Sequence, residues 1–331
     1  MERTEPGLID YSIVIPVYFN EGSLQETMAI INTEVITRNP GLRSEVIFVD
    51  DGSGDGSLQE LLQIRAIHPD LVKVIKLTRN FGQVSALQAG FSYAKGSCVI
   101  AMAADSQDPA GLINEMLEAH LKEKYEIVAG QREGRDESYY RILTSKIFYK
   151  LIRKLSFPNM PQGGFDFVLL GRKVVELLLR NKEAHGFLQG QILWTGFKTK
   201  FLKYRRQKRK VGKSRWTFGK KLTYLIDGVM SYSFFPIRLI SFLGMLFSLG
   251  GFLYALIVIV TKIFWGIAAT GWAPLMVVIL VIGGFQMLML GIIGEYLWRS
   301  LAQQRNRDPY IIEALYDNEQ RNINRADTTQ E

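Results

Sequence analysis

Two kinds of pattern alternate over the first 130 residues. Short apolar runs rich in Val and Ile occupy Tyr11–Val17, Glu45–Asp50, Val72–Leu77, Cys98–Ala103 and Glu126–Ala129. Between them, Ser23–Arg38, Ser57–Ile67, Val84–Ala94 and Pro109–Lys124 have the length and period of helices. Strand and helix taking turns in this way predict an α/β domain, a mostly parallel sheet wrapped by helices on both faces. Ligands of such sheets bind beyond the carboxyl ends of the strands. Three chemically unusual segments fall there: Pro16–Glu21, Asp50–Ser57 and Ala104–Pro109.

Later in the chain the pattern changes. Tyr140, Leu143, Ile147, Phe148, Leu151 and Leu155 share one helical face, with Arg141, Lys146, Lys150, Arg153 and Lys154 elsewhere. Phe218, Leu222, Leu225, Ile226 and Val229 form a second apolar stripe. Basic amphipathic helices beside a membrane span lie in the lipid interface, and packing against the sheet is the alternative. Leu239–Thr261 and Ile263–Gly294 contain no charged residue, and only Lys262 separates them. Each exceeds the roughly 20 apolar residues that cross a bilayer as a helix. Buried core helices rarely run so long without a charge, so two membrane spans are expected.

Charge refines this picture. The chain has 40 Lys+Arg against 32 Asp+Glu, a formal net charge of +8. Lys203–Lys221 alone holds ten Lys/Arg and no acid, which exceeds the whole excess. Such a block could suit nucleic acid, but its place ahead of an apolar span points to lipid headgroups, and no nucleic-acid partner is expected. Arg299, Arg305 and Arg307 follow the second span, and Phe264–Trp272 between the spans is uncharged. The positive-inside rule then places both termini in the cytoplasm. The charged opening Met1–Glu5 does not resemble a signal peptide. With 47% hydrophobic residues in 331, disorder and collagen-like repeats are excluded. The single Cys98 excludes an internal disulfide and a Cys-based metal cluster.

The chemistry is carried by the strand ends. In Asp50-Asp51-Gly52-Ser53-Gly54-Asp55-Gly56-Ser57 the carboxylates can accept from a base N–H or ribose hydroxyls, and the glycines admit close backbone approach. Alone it could be a tight acidic turn; an EF-hand would need a terminal Glu that it lacks. In Ala103-Ala104-Asp105-Ser106-Gln107-Asp108-Pro109, Asp105 and Gln107 are two apart and can offer two oxygens from one side of extended chain. Hard oxygens completed by a diphosphate suit Mg²⁺ or Mn²⁺. Asp108-Pro109 also reads as a helix start with Asp108 as N-cap.

In order, Pro16-Val17-Tyr18-Phe19-Asn20-Glu21, Val49-Asp50-Asp51-Gly52-Ser53, Arg79-Asn80-Phe81-Gly82 and Ala104-Asp105-Ser106-Gln107-Asp108-Pro109 resemble the motifs of inverting glycosyltransferase family 2. The trailing pair of spans makes the chain most similar to bacterial polyisoprenyl-phosphate glucosyltransferases, relatives of dolichyl-phosphate mannose synthases. The resemblance covers roughly residues 10–310. It implies a glycosyltransferase A-type fold, a Rossmann-like mostly parallel sheet flanked by helices, with interfacial amphipathic helices and a two-helix transmembrane hairpin. It also implies a UDP- or GDP-sugar donor bound with Mg²⁺ or Mn²⁺. Pro16, Tyr18, Glu21, Asp50 and Asp51 then match the nucleotide-sugar site, and Asp105 and Gln107 the metal site. The family often writes Asp-x-Asp where this chain has Ala103, which puts the strength of metal binding in question.

Gly163-Gly164-Phe165-Asp166-Phe167 resembles the glycine-aspartate segment beside the acceptor, making Asp166 the candidate catalytic base or a turn-capping loop residue. Arg132, Arg141 and Ser145 match positions used for the lipid phosphate. Arg209, Ser214 and Arg215, in Arg209-x-x-Gly212-x-Ser214-Arg215-Trp216, match the basic segment that closes over the nucleotide. The expected reaction is transfer of glucose from UDP-glucose to undecaprenyl phosphate at the inner face of the bacterial plasma membrane. Another donor (GDP-mannose or a UDP-aminosugar) and a non-catalytic binding subunit are the alternatives. The expected organisation is a cytoplasmic catalytic domain over 1–235, two spans over 236–299, and a cytoplasmic tail over 300–331 that is disordered beyond Asp317. A homo-oligomer embedded in the lipid bilayer is the expected assembly.

Overall fold

The computed structural model describes residues 9–133, 153, 157, 159–161, 164–181, 187–205, 233–265, 271–305 and 307–318. Apart from Arg153, the two amphipathic stretches lie outside them, as do Arg141, Ser145, Arg209, Ser214, Arg215 and residues 319–331.

Eight strands form one mixed sheet: β1 (Tyr11–Val17), β2 (Ser44–Asp50), β3 (Val72–Leu77), β4 (Cys98–Ala101), β5 (Ile127–Arg132), β6 (Val168–Gly171), β7 (Thr199–Tyr204) and β8 (Ile312–Tyr316). Their order is β7-β5-β6-β4-β1-β2-β3-β8. The central β4-β1-β2-β3 set is parallel, β6 runs antiparallel between β4 and β5, and β7 is parallel to β5. The first strand and the third have the bounds that their Val/Ile runs predict. The fourth ends at Ala101, two residues short of the predicted Ala103, and the fifth extends to Arg132.

Side chains leave alternate faces of a strand, and the core divides accordingly. On one face Tyr11, Ile13, Ile15 and Val17 of β1 pack under α1 (Leu24–Ile31), α2 (Ser57–Ile67) and α4 (Leu112–Leu121). On the other, Val14 packs against α3 (Gln83–Tyr93), in a cluster that also takes in α5 (Arg172–Arg180) and α6 (Leu188–Trp194). Burial on both faces explains why these strands read as nearly unbroken apolar runs rather than alternating ones. The predicted Ser23–Arg38 helix is α1 followed by a wider π-type turn over Asn32–Ile36. The predicted Pro109 helix begins as a tighter turn, with Leu112 N–H bonded to Pro109 O at 3.0 Å, and is α-helical from Leu112.

Two long helices follow, α7 (Phe235–Trp265) and α8 (Trp272–Gln304). Their apolar stretches, Ile237–Phe264 and Leu275–Gln304, have mean hydropathies of 2.4 and 2.5 and are long enough to cross a membrane. A core helix would be covered by protein, whereas here Phe242, Met245, Phe252, Ile263 and Met287 stand more than half exposed. The helices touch through Phe247 and Phe285, whose rings are 4.7 Å apart. Lys262 sits in the last turn of α7 and does not end it. In α8 the Arg299 guanidinium reaches Glu295 at 2.7 Å, one turn away.

Past α8 the chain returns to the sheet. β8 pairs antiparallel with β3, and Lys76 and Lys73 of β3 reach Glu313 at 2.6 Å and Asp317 at 3.2 Å. The Arg65 Nε–H of α2 donates to Tyr316 O at 3.1 Å, and the Tyr310 hydroxyl meets Ser92 Oγ of α3 at 3.0 Å. Part of the segment read as a tail is thus an edge strand of the sheet.

Candidate active site

The motif segments converge at the carboxyl ends of β1, β2, β3 and β4. Parallel register sets Val17 beside Asp50 and Val14 beside Ala101, so the segments after β2 and β4 flank the one after β1. Side chains then sew them together. Ser53 Oγ accepts the Phe19 N–H at 3.1 Å, and Ser57 Oγ accepts that of Asn20 at 2.9 Å. Glu21 Oε2 accepts Gly56 N–H at 3.0 Å, while Asp55 accepts the Glu21 N–H. The Thr27 hydroxyl of α1 lies 3.2 Å from the Ala104 carbonyl and 2.9 Å from Ser106 Oγ, fixing the segment that carries Asp105 and Gln107.

The adjacent Asp50 and Asp51 do different things. Asp51 is buried, and its two oxygens accept the N–H groups of Phe81 at 2.7 Å and Gly82 at 2.9 Å. It therefore joins the β2 and β3 ends. Gly52 completes that join: its φ is +67°, and a Cβ there would stand 2.6 Å from the Arg79 carbonyl carbon, so no side chain fits. Asp50 is fully buried and accepts one amide, Ser53 N–H at 3.2 Å on Oδ1, while its Oδ2 has no partner. Burial pushes both carboxyls above the ordinary range; the Ser53 bonds oppose this at Asp50 and the two amides at Asp51. A buried acceptor without a donor is costly, and such an oxygen suits a ligand N–H or hydroxyl. Pro16 and Tyr18 are half-buried beside it, and the Tyr18 ring meets Phe19 edge-on at 4.7 Å.

A second group joins residues distant in sequence. Arg132, last in β5, donates through Nη2 to Asp166 Oδ2 at 2.8 Å and through Nε to the Tyr204 hydroxyl at 3.3 Å. The Tyr204 hydroxyl donates to Asp108 Oδ1 at 2.6 Å. From α6, Gln189 Nε2 donates to the other oxygen of Asp166 at 3.0 Å. Burial alone would lower the Arg132 pKa, but Asp166, Tyr204 and Asp108 outweigh it and hold the guanidinium firmly charged. Burial and the Asp108 charge push the Tyr204 phenol up, so it stays a donor near neutral pH. Asp166 and Arg132, predicted as base and phosphate ligand, are thus brought together as an ion pair. Sequence reasoning missed Tyr204 and Gln189; the only signal was the place of Tyr204 at the start of the basic run. Asp108, read there as a helix cap, binds the Tyr204 hydroxyl, and the turn before α4 carries Gly111 in the cap position without a side-chain cap.

The model of glycosyl transferase family 2 matches residues 12–179, half of the chain. The chain belongs to that family. This glycosyltransferase is 37% identical over 318 residues to an uncharacterized glycosyltransferase of Bacillus subtilis, YkcC, covering 96% of this chain and 97% of the relative. It is 32% identical over 307 residues to the prophage bactoprenol glucosyl transferase homolog of Escherichia coli K12, covering 92% and 98%. Among solved structures, mannosyl-3-phosphoglycerate synthase from Rubrobacter xylanophilus is similar at 16% identity with a TM-score of 0.46, over 67% of this chain and 73% of that one. The mostly parallel sheet flanked by helices is the glycosyltransferase A-type fold.

Family 2 donors are nucleotide sugars, so the fit of a divalent ion matters. Among the described residues no three His, Cys, Asp or Glu side chains group to hold a metal. Ser106 has φ +51°, so Asp105–Gln107 is a turn and not the extended chain expected; the two side chains still supply hard oxygens on one segment, with Asp105 Oδ1 accepting the Gln107 N–H at 3.3 Å. That donor set fits an ion whose shell is completed by phosphate oxygens and water, as Mg²⁺ commonly is. It does not fit a cage built wholly from protein.

Proposed function

We propose that this glycosyltransferase moves glucose from UDP-glucose to a polyprenyl phosphate, undecaprenyl phosphate, with inversion at the anomeric carbon. The observation that carries this reading is the near full-length likeness to a bactoprenol glucosyl transferase homolog, joined to two long apolar helices exposed along their length. Exposed apolar surface of that extent suits lipid, where a polyprenyl acceptor also resides. The Lys/Arg-rich flanks favour a catalytic domain on the cytoplasmic side of the plasma membrane.

In this reading Asp50 Oδ2 receives a donor N–H of the nucleobase, with Pro16 and Tyr18 alongside. Glu21 and Asp51 hold the surrounding loops, and Arg209, Ser214 and Arg215 close over the nucleotide. Asp105 and Gln107 would hold Mg²⁺ or Mn²⁺, which when bound neutralises diphosphate charge. A phosphate oxygen of the acceptor forms the new bond to the anomeric carbon as the bond to the UDP oxygen breaks on the opposite side. That phosphate is already ionised near neutral pH, so little basicity is asked of Asp166. Arg132, with Arg141 and Ser145, offsets the repulsion between the acceptor phosphate and the donor diphosphate.

The test is transfer of radiolabel from UDP-glucose to undecaprenyl phosphate by the purified full chain in detergent, with Mg²⁺ or with EDTA. Metal-dependent label in the lipid phase is expected. Label only from GDP-mannose or a UDP-aminosugar would reassign the sugar, and no label from any donor would overturn the reading.

A further inference from the structure

We propose that Tyr204 is a positioning residue that ties the donor-side segment Asp105–Asp108 to the acceptor-side pair Arg132–Asp166, with Gln189 as the opposing prop on Asp166. The inference rests on the glycosyl transfer proposed above and assigns roles to residues that no motif marks.

The topology makes the link. Tyr204 and Arg132 are cross-strand partners at the ends of β7 and β5, so the phenol and guanidinium rise side by side. The Tyr204 ring is buried against Phe167 at 6.1 Å and over Gly130, where a Cβ would come within 2.9 Å of the ring. Its hydroxyl therefore has little choice of position. It gives its proton to Asp108 at 2.6 Å and receives the Arg132 Nε–H at 3.3 Å. Asp108 closes the very segment that carries Asp105 and Gln107. At the far end, Asp166 is gripped from both sides, by Arg132 Nη2 at 2.8 Å and by Gln189 Nε2 at 3.0 Å. Gln189 is itself buried.

One chain of polar contacts, Asp108–Tyr204–Arg132–Asp166–Gln189, thus crosses from the end of β4 to α6. A guanidinium with its Nε and one Nη committed to fixed partners presents its remaining N–H groups in a set direction. Removing the Tyr204 hydroxyl should loosen that direction and so weaken the hold on an acceptor phosphate. The nucleoside part of the donor site, built on β1 and β2, has its own ties, and Thr27 still holds the Asp105–Gln107 segment, so donor binding should be little changed.

The experiment is steady-state transfer by the full chain carrying Tyr204→Phe, with the donor and the polyprenyl phosphate varied separately. The acceptor KM should rise about tenfold, the scale of one hydrogen bond to a charged group, with the donor KM within about twofold. Gln189→Met should raise the same acceptor KM. In an Arg132→Lys background, which lacks the Nε–H, Tyr204→Phe should add nothing to the acceptor KM; a purely packing role would cost the same in both backgrounds. Unchanged acceptor KM in both Tyr204→Phe and Gln189→Met, beside an active wild type, overturns this proposal alone. A wild type inactive with every donor overturns the function reading and this proposal with it.

Discussion

Two buried carboxylates on one strand are treated in opposite ways. Glu45 and Asp50 lie near the two ends of β2, about 16 Å apart along the strand, and each is nearly or wholly shielded from water. Glu45 is charge-paired: its Oε1 accepts the Ser12 hydroxyl and the Lys95 N–H, both at 2.6 Å, and its second oxygen, which has no other partner, lies 3.0 Å from the Lys73 ammonium. Lys73 also reaches Asp317 beyond the return strand β8, so this end of the sheet is locked by charge. Asp50 has one amide and an empty second oxygen. The amino end thus spends its buried charge on holding the fold, and the carboxyl end leaves its charge for a ligand. A charged partner, which Glu45 has in Lys73, distinguishes structure from site more sharply here than burial does.

The comparison breaks most directly at Glu45. Glu45→Ala strips Lys73 of one partner in a largely buried pair and leaves the Ser12 hydroxyl and Lys95 amide without an acceptor. Stability should fall by about 3 kcal/mol, read from urea unfolding of the detergent-solubilised full chain. Turnover per folded molecule should not change, because the site is at the other end of the strand. A drop in turnover with stability intact would contradict the division.

Asp50→Asn should do the reverse. Nucleotide affinity, measured by calorimetry with UDP, should weaken about 10- to 100-fold, the scale of a lost hydrogen bond to a charged acceptor. Stability should hold or rise, since the substitution removes a buried charge while keeping the acceptor for Ser53 N–H. Loss of both binding and stability would mean that Asp50 is part of the scaffold after all.

The two ends were also unequally legible. Tyr11–Val17, Val72–Leu77 and Ser57–Ile67 are local patterns, so composition and period were enough to bound them. The strands β6, β7 and β8 are short or polar, and each is a strand only because a partner from elsewhere in the chain lies beside it. Lys-Tyr at the end of β7 reads as the start of a basic run until the sheet sets it beside Arg132. Likewise Asp50 and Asp51 look equivalent in sequence. Only the approach of Phe81 and Gly82, delivered by a different strand, turns one into a loop tie and leaves the other for a ligand.

The smallest effect, and the finest probe of that difference, is in pH. Burial raises the Asp50 carboxyl above its ordinary value near 3.8, so in the interval just above that value the folded state holds a proton that the unfolded state has released. Stability must then decline as pH rises through that interval, by about 1.4 kcal/mol per unit of displacement, and level off once both states are ionised. Asp50→Asn has no such proton. Its stability advantage over wild type should therefore be full near neutral pH and shrink as the pH is lowered toward 4. The Asp50 charge is one cause of the rise at Asp51, so relief of that rise in Asp50→Asn changes the difference with the same sign. Unfolding midpoints of the pair across pH 4 to about 7 would check it, and an advantage that grew on acidification would mean that Asp50 is stabilised as a charge.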